Sequence, residues 1–227
     1  MAVRVEYPTR PLRFRLLNLL VRWTPVASKY SHNSILFRKD LSRPDAVSRP
    51  GGYDFRLANA GDLEFIASHR EALAKDVYAA RLKRGDRCYC LARGDEVLSY
   101  NWVASSLCCV LCGFRRGIEF LPLKGSQAFT YDFYTYESNR GGGLGSLTKN
   151  LLLQELARQG VREVFTLVMP YSTASLKIHL KTGYEPLCMV YGYRLLGWSR
   201  TYFGGQEDKH WLDRWIGDFR SGAGIGS

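Results

Sequence analysis

The sequence lacks any uninterrupted run of the ~18 apolar residues that a membrane-spanning helix needs. Its most apolar N-terminal stretch, Leu16-Leu17-Asn18-Leu19-Leu20-Val21, is closed by Arg15 and Arg22. No small-residue cleavage pattern follows it, so a secretory signal is not expected. The expected setting is cytoplasmic, with peripheral attachment to a membrane as an option. A regular cysteine framework is missing too. The six cysteines stand at 88, 90, 108, 109, 112 and 188, mostly in apolar, strand-like surroundings. The pair Cys109 and Cys112 has no second pair at the spacing of a structural zinc site, since Cys88 and Cys90 are separated by one residue. Free buried thiols and no metal are the reading.

Acidic residues are scarce: 21 Asp and Glu face 32 Lys and Arg, a formal charge of +11. The imbalance is concentrated at one end. Residues 1–50 carry basic side chains from Arg4 to Arg49 against Glu6, Asp40 and Asp45 alone. Such an extension suits an anionic membrane surface or an acidic partner, or serves only to keep the chain in solution. A nucleic-acid partner is not expected, because no reading helix or zinc module accompanies the charge.

What remains is a chain of 227 residues with 46% hydrophobic content, enough for one α/β domain plus an extension. Residues 1–50 show no clear period and end in Arg49-Pro50-Gly51-Gly52, so the folded domain is expected from Tyr53. Asp62 is read as the N-cap of a first helix, and a second follows around Ala72 to Arg84. Cys88 to Ala92 and Val97 to Ser105 read as strands joined by a tight hairpin at Arg93-Gly94-Asp95-Glu96. A third strong strand runs from Ala128 to Tyr136. Leu144 to Gln159 is an amphipathic helix, and Val164 to Met169 an interior strand halted by Pro170. A helix from Thr173 to Lys181 and a strand from Leu187 to Leu195 complete the order β-α-α-β-β-β-α-β-α-β. Residues 51–200 form the domain in this reading. Residues 201–227 are a C-terminal segment, amphipathic over Gly204 to Arg220, with a glycine-rich tail.

The most informative stretch is Asn139-Arg140-Gly141-Gly142-Gly143-Leu144-Gly145-Ser146, where a strand turns directly into a helix. Backbone N–H groups at a helix N-terminus make an anion site, and glycines let the anion come close. A Walker loop requires Gly-Lys-Ser/Thr, and here Gly145 is followed by Ser146-Leu147. A dinucleotide fingerprint is one glycine short and lacks the acid closing the next strand. An ordinary glycine-rich connector is the bland alternative. The pattern Arg/Gln-x-x-Gly-x-Gly/Ala is met in full by Arg140, Gly143 and Gly145, and it resembles the pyrophosphate-binding motif of GNAT acetyltransferases.

A second motif adds to the resemblance. The family carries a helix of the form Asn-x-x-Ser-x-x-x-Tyr-x-Lys-x-Gly-Phe, and this chain has Ser172, Ser175, His179, Lys181, Gly183 and Tyr184 in register. The likeness covers roughly two-thirds of the chain, and residues 1–50 and about the last thirty fall outside it. It implies a mixed, mostly antiparallel sheet flanked by helices and splayed after the fourth strand, in an α/β (α+β) domain. It also implies an acyl-CoA-dependent N-acyltransferase, with acetyl-CoA or another acyl-CoA as co-substrate and an amine as acceptor. Cofactor contacts are then expected from Thr135, Tyr136, Arg140, Gly141, Gly142, Gly143, Leu144, Gly145, Ser146, Ser172 and Ser175. Two departures stand out. Ser172 replaces asparagine, and His179 replaces the tyrosine that protonates the departing thiolate in the family. A histidine can act as general acid, although a lone helical histidine is more often an ordinary side chain.

For the acceptor side, period two places Thr130, Asp132, Tyr134 and Tyr136 on one face of their strand, and Phe129, Tyr131, Phe133 and Thr135 on the other. Asp132 is the candidate base, with Glu137 the alternative; structural roles for both compete. Tyr100, Trp102 and Tyr134 are candidates to line the acceptor cleft or belong to the core. A metabolite amine, a sugar-nucleotide amine, a protein N-terminus or a longer acyl donor are all compatible. The competing function is a catalytically weak module of the same fold that docks through its basic extension on anionic membrane or nucleic acid.

Overall fold

The computed structural model describes residues 31–43, 51–70, 75–105, 107–109, 120–195 and 198–221. The Leu16 to Val21 stretch, Cys112 and the glycine-rich tail lie outside the described residues. The chain forms two compact units, one from Phe37 to Glu185 and one made of residues 1–36 and 186–227.

In the larger unit, Asn59 opens helix α1 (Ala60–Ser68). Its side chain accepts from the Asp62 N–H, and the Asp62 carboxylate accepts from the Asn59 N–H, both at 2.9 Å. This is a reciprocal capping box. The cap is therefore Asn59, and Asp62, expected as the cap, stands at the third helical position. The reason is that Asp62 is buried and also held by Arg56, whose Nη2 donates to it at 2.8 Å. That ion pair ties the helix to strand β2 (Asp54–Leu57). Helix α2 (Lys75–Lys83) ends at Gly85, which takes a positive φ of 89°.

Strands β3 (Arg87–Arg93) and β4 (Glu96–Ala104) form the expected hairpin, pairing Arg93 with Glu96 across a two-residue turn. A small ribbon of β5 (Leu107–Cys109) and β6 (Phe120–Pro122) precedes β7 (Gln127–Thr135). Then follow α3 (Leu144–Arg158), β8 (Glu163–Val168) and α4 (Thr173–Lys181). A strand that the sequence pattern did not announce, β1 (Ser31–Asp40), lies inside the segment read as an extension. It enters this unit at Phe37 and gives the sheet order β1-β8-β7-β4-β3-β2. Strands β2 and β3, β3 and β4, and β4 and β7 pair antiparallel and β7 and β8 pair parallel, so the sheet is mixed and mostly antiparallel. The core is Ile66, Leu91, Leu98, Phe129, Leu152, Leu156 and Leu176, all buried.

In the smaller unit, β9 (Glu185–Leu195, from Pro186 onward) pairs antiparallel with β10 (Trp198–Phe203), and its order is β10-β9-β1. Helix α5 (Gln206–Ser221) is a full 16 residues and buries Leu212 and Ile216, four apart on one stripe. No helix among the described residues is long and apolar enough to cross a membrane.

Asn59→Ala removes the side-chain half of the capping box and is expected to cost about 1 kcal/mol of stability. Urea unfolding measures this; an unchanged midpoint would show that Arg56 and Asp62 alone fix the start of α1.

Candidate functional site

The site begins with one extra residue in β7. Tyr100 of β4 pairs with Tyr134, but Trp102 pairs with Tyr131, so three steps of β7 oppose two of β4. Asp132 sits at the bulge with φ 46°, the only non-glycine residue with positive φ among the described residues. Aspartate tolerates this region better than most side chains. The bulge corrects the period-two reading of the strand. Phe133 and Thr135 lie against α3 together with Thr130, while Tyr131, Asp132 and Tyr134 meet Arg81 of α2 or Arg70, which follows α1. Thr130 and Asp132 thus do not share a face.

The bulge also marks where the sheet opens. The parallel ladder between β7 and β8 runs from Gln127 to Thr130 and goes no further. Beyond it, residues 132–135 are half-buried, whereas 128–131 are buried. One edge of β7 is therefore free of β8 where the strand approaches the glycine turn.

That turn runs through a 3-10 turn at Glu137–Asn139 into α3, whose N-cap is Gly143 with φ 78°. No side chain caps the helix and no acid stands in its first turn. Its first N–H groups carry the positive end of the helix dipole without a protein partner from the cap position. Gly141, Gly142 and Gly143 are exposed and have open space where a Cβ would stand. Gly145 differs: a Cβ there would meet Ile178 Cδ1 at 3.0 Å and Thr135 Oγ1 at 3.1 Å. It is a glycine because helix and strand touch at that point, which brings the N-terminus of α3 onto the free edge of β7. Leu144 and Ser146 are half-buried beside it. Arg140 folds back, with Nε donating to the Thr135 carbonyl at 3.0 Å and Nη1 to exposed Glu137 at 3.0 Å. Tyr136 donates its backbone N–H to Leu98.

Beneath α3 lies a buried polar group that the sequence reading missed. Lys149 is fully buried and donates to Asn101 Oδ1 at 2.6 Å and Thr130 Oγ1 at 3.4 Å. Asn101, also buried, donates its amide to the bulge carbonyl of Tyr131 at 2.7 Å. Burial holds the Lys149 ammonium down to about 7. One signal was present in the sequence: Lys149 falls four residues after Gly145 and three before Leu152, on the buried stripe of α3.

Ser172 is the N-cap of α4 but supplies no side-chain cap bond, and Ser175 lies within its first turn. His179 is buried, with Nδ1 2.7 Å from the Ser175 carbonyl. A carbonyl can only accept, so Nδ1 carries the proton and Nε2 is a bare acceptor, without a partner among the described residues. Burial first, then the nearby Lys149 charge, depresses its pKa to about 3. This is the reverse of the expected arrangement, in which His179 has a proton to deliver.

On the opposite face of β4, set by alternation about Asn101, Tyr100 and Trp102 meet α2 and β7. Tyr78 stacks on Trp102 with centroids 5.3 Å apart. Arg81 Nη1 donates to Asp132 at 2.6 Å, and Arg70 Nη2 lies 3.5 Å from the other Asp132 oxygen. Asp132 is thus a carboxylate shared by two guanidiniums. Next to it, Arg84 and Tyr131 both donate to buried Asp86. Among the described residues no group of His, Cys, Asp and Glu could hold a metal ion.

Lys149 makes stability depend on pH. Its folded pKa near 7 lies below the ordinary 10.5, so between these values the unfolded chain binds more protons. The wild type should gain stability relative to Lys149→Met as pH rises from 7 to 10.5, by up to ~1.4 kcal/mol per unit. Denaturation midpoints of both proteins across this range measure it, and a constant difference would contradict the buried, neutralised amine.

No protein-family model and no curated protein matches the chain. Solved structures do. A tandem GNAT protein from the clavulanic acid biosynthesis pathway aligns at TM-score 0.53 and 17% identity, over 88% of this chain and 62% of that one. A GCN5-related N-acetyltransferase from Sphaerobacter thermophilus aligns at 0.55 and 11%, over 79% and 54%. A Drosophila protein aligns at 0.57 and 13%, over 82% and 57%. The chain therefore spans less than two thirds of the length of these neighbours. At such identities the likeness is one of fold, and the fold of this chain is that of the GNAT acetyltransferases.

Proposed function

We propose that the chain is an acyl-CoA-dependent N-acyltransferase with acetyl-CoA as its expected donor. The observation that carries this reading is the uncapped, acid-free N-terminus of α3 set against the edge of β7 that β8 leaves open. An anion and an extended polar arm can be held there together: the N–H groups take the anion and the strand edge takes the arm. Residues from Arg140 to Ser146 are assigned to the pyrophosphate, and the backbone of Thr135 and Tyr136 to the pantetheine. Ser172 and Ser175 stand at the start of α4 as further polar contacts. Bound acetyl-CoA supplies an activated acyl carbonyl and a thiolate leaving group.

The chain's own groups then divide the remaining work. Arg140 is exposed, so its guanidinium can leave the Thr135 carbonyl and turn to the phosphates, freeing that carbonyl for the arm. Glu137 braces Arg140 and is assigned that positioning role ahead of the alternative of a base. Asp132, bound by Arg81 and Arg70, orients those arginines and the bulge; the amine proton leaves to water. Positioning of amine and thioester is the main catalytic contribution in this reading.

Isothermal titration with acetyl-CoA and with free CoA is the test. Both should bind the wild type. Gly142→Glu should weaken both by roughly tenfold, because a carboxylate at the positive helix end repels the pyrophosphate. Gly142 is exposed, without positive φ and with nothing within 4 Å of an added Cβ, so its fold should survive the change. Absence of binding by either ligand to the wild type removes the basis of the reading.

General-acid help is typically worth ~10²-fold or more. His179→Phe should nevertheless keep turnover within about tenfold of the wild type, since Nε2 has no proton to give. A loss of ~10²-fold across pH 6 to 9, measured by thiol release, would restore His179 as the acid.

A further inference from the structure

The 3-10 turn at Glu137–Asn139 returns the chain onto the end of β7 and sets Arg140 back over residues it has just left. Thr135, Glu137 and Tyr134 hold its guanidinium there. Nε donates to the Thr135 carbonyl at 3.0 Å, and Nη1 donates to the Glu137 carboxylate at 3.0 Å. The guanidinium carbon also lies 5.3 Å from the centre of the Tyr134 ring, within reach of a cation–π contact. The side chain is nonetheless 50% exposed, and its partner Glu137 is 81% exposed. Ion pairs so open to water are weak, so this hold yields to a stronger anion.

The direction of the Thr135 carbonyl gives the contact its meaning. The peptide that joins Thr135 to Tyr136 gives its N–H to the Leu98 carbonyl of β4 at 3.1 Å. In a planar trans peptide the N–H and C=O point opposite ways, so the Thr135 carbonyl faces away from β4. That is the side from which β8 has withdrawn after Thr130. The preceding carbonyl, of Tyr134, turns to β4 instead, where Ser99 Oγ donates to it at 2.9 Å. Arg140 therefore covers the acceptor that this part of β7 presents along its open edge.

Two kinds of thioester then meet this side chain on unequal terms. A donor without phosphates must displace a charged hydrogen-bond donor from Thr135 and offers the guanidinium nothing in exchange. A donor that places a pyrophosphate at the N-terminus of α3, whose N-cap Gly143 follows Arg140 closely, does offer something. Its oxygens accept from the guanidinium in charge-assisted, bidentate fashion, which outweighs one carbonyl and one exposed carboxylate. We infer that Arg140 is a specificity-determining residue for the acyl donor: it shields the open edge of β7 from phosphate-free thioesters and gives the edge up to those that carry a pyrophosphate. Binding of the phosphates and binding of the arm are thereby coupled through one side chain, and the coupling is reciprocal. The inference rests on the acyltransferase reading for the identity of the donor.

The test titrates the full chain with acetyl-CoA, with S-acetylpantetheine, which has the arm and no phosphate, and with S-acetylpantetheine in saturating inorganic pyrophosphate. Arg140→Met keeps an apolar stem and removes the guanidinium. It should weaken acetyl-CoA by about tenfold, the worth of a charge-assisted hydrogen bond, and tighten S-acetylpantetheine by about threefold or more. The opposite signs are the signature. A role in phosphate binding alone would leave S-acetylpantetheine unchanged, and a loss of local structure would weaken both ligands. In the wild type, pyrophosphate should tighten S-acetylpantetheine by about threefold or more, and this gain should vanish in Arg140→Met. Glu137→Gln removes one hold on the guanidinium and should also tighten S-acetylpantetheine, by less, which keeps the test decisive if Arg140→Met does not fold. Unchanged or weaker S-acetylpantetheine binding in the folded variants, no gain from pyrophosphate in the wild type, or no S-acetylpantetheine binding in any arm overturns the inference while acetyl-CoA still binds. Failure of acetyl-CoA to bind the wild type is the separate failure of the acyltransferase reading, and it takes this inference with it.

Discussion

The hydrogen bond from Asn101 to the Tyr131 carbonyl is the contact on which the site depends. A bulge interrupts the ladder and holds Asp132 at a positive φ that costs free energy unless the surroundings insist on it. Asn101 insists by occupying the bulge carbonyl, and Lys149 fixes the other end of the Asn101 amide from α3. One buried chain of donors and acceptors therefore links the helix that offers its N-terminus to the strand that opens its edge. Because every member is buried, loss of one leaves the next unsatisfied, and the network acts as a unit.

The same bulge sorts the residues of β7 onto two faces. Phe133 and Thr135 turn toward α3 and support the close approach at Gly145. Tyr131, Asp132 and Tyr134 turn toward α2 and the arginines. A regular strand would have mixed these residues, with Asp132 on the face of Thr130. The inserted residue is what places Phe133 and Thr135 on the α3 side while Tyr131, Asp132 and Tyr134 stay on the α2 side at the end of the β7–β8 ladder.

Much of this was legible in the sequence because it is written in local chemistry. The run Gly141-Gly142-Gly143 announces the turn into α3, and the hairpin at Gly94-Asp95 and the stop at Gly85 follow from turn preferences. The bulge was not legible, because period two assumes an uninterrupted ladder and the extra residue shows only in the pairing with β4. Strand β1 was hidden for a similar reason. Its residues Ser31–Asp40 lie between proline-rich stretches and gain their identity as a strand from neighbours far along the chain. Lys149 and Asn101 were missed because a lysine and an asparagine in isolation read as solvated side chains. Only the three-dimensional partnership shows them as interior.

Backbone amide shifts on adding acetyl-CoA, read by 15N NMR, test the central claim most directly, because they locate the ligand as well as detect it. The account predicts the largest changes at Gly141 to Ser146 and at Phe133 to Tyr136, the helix N-terminus and the open strand edge together. Saturable binding whose largest shifts fall elsewhere, with these two segments unmoved, would contradict it.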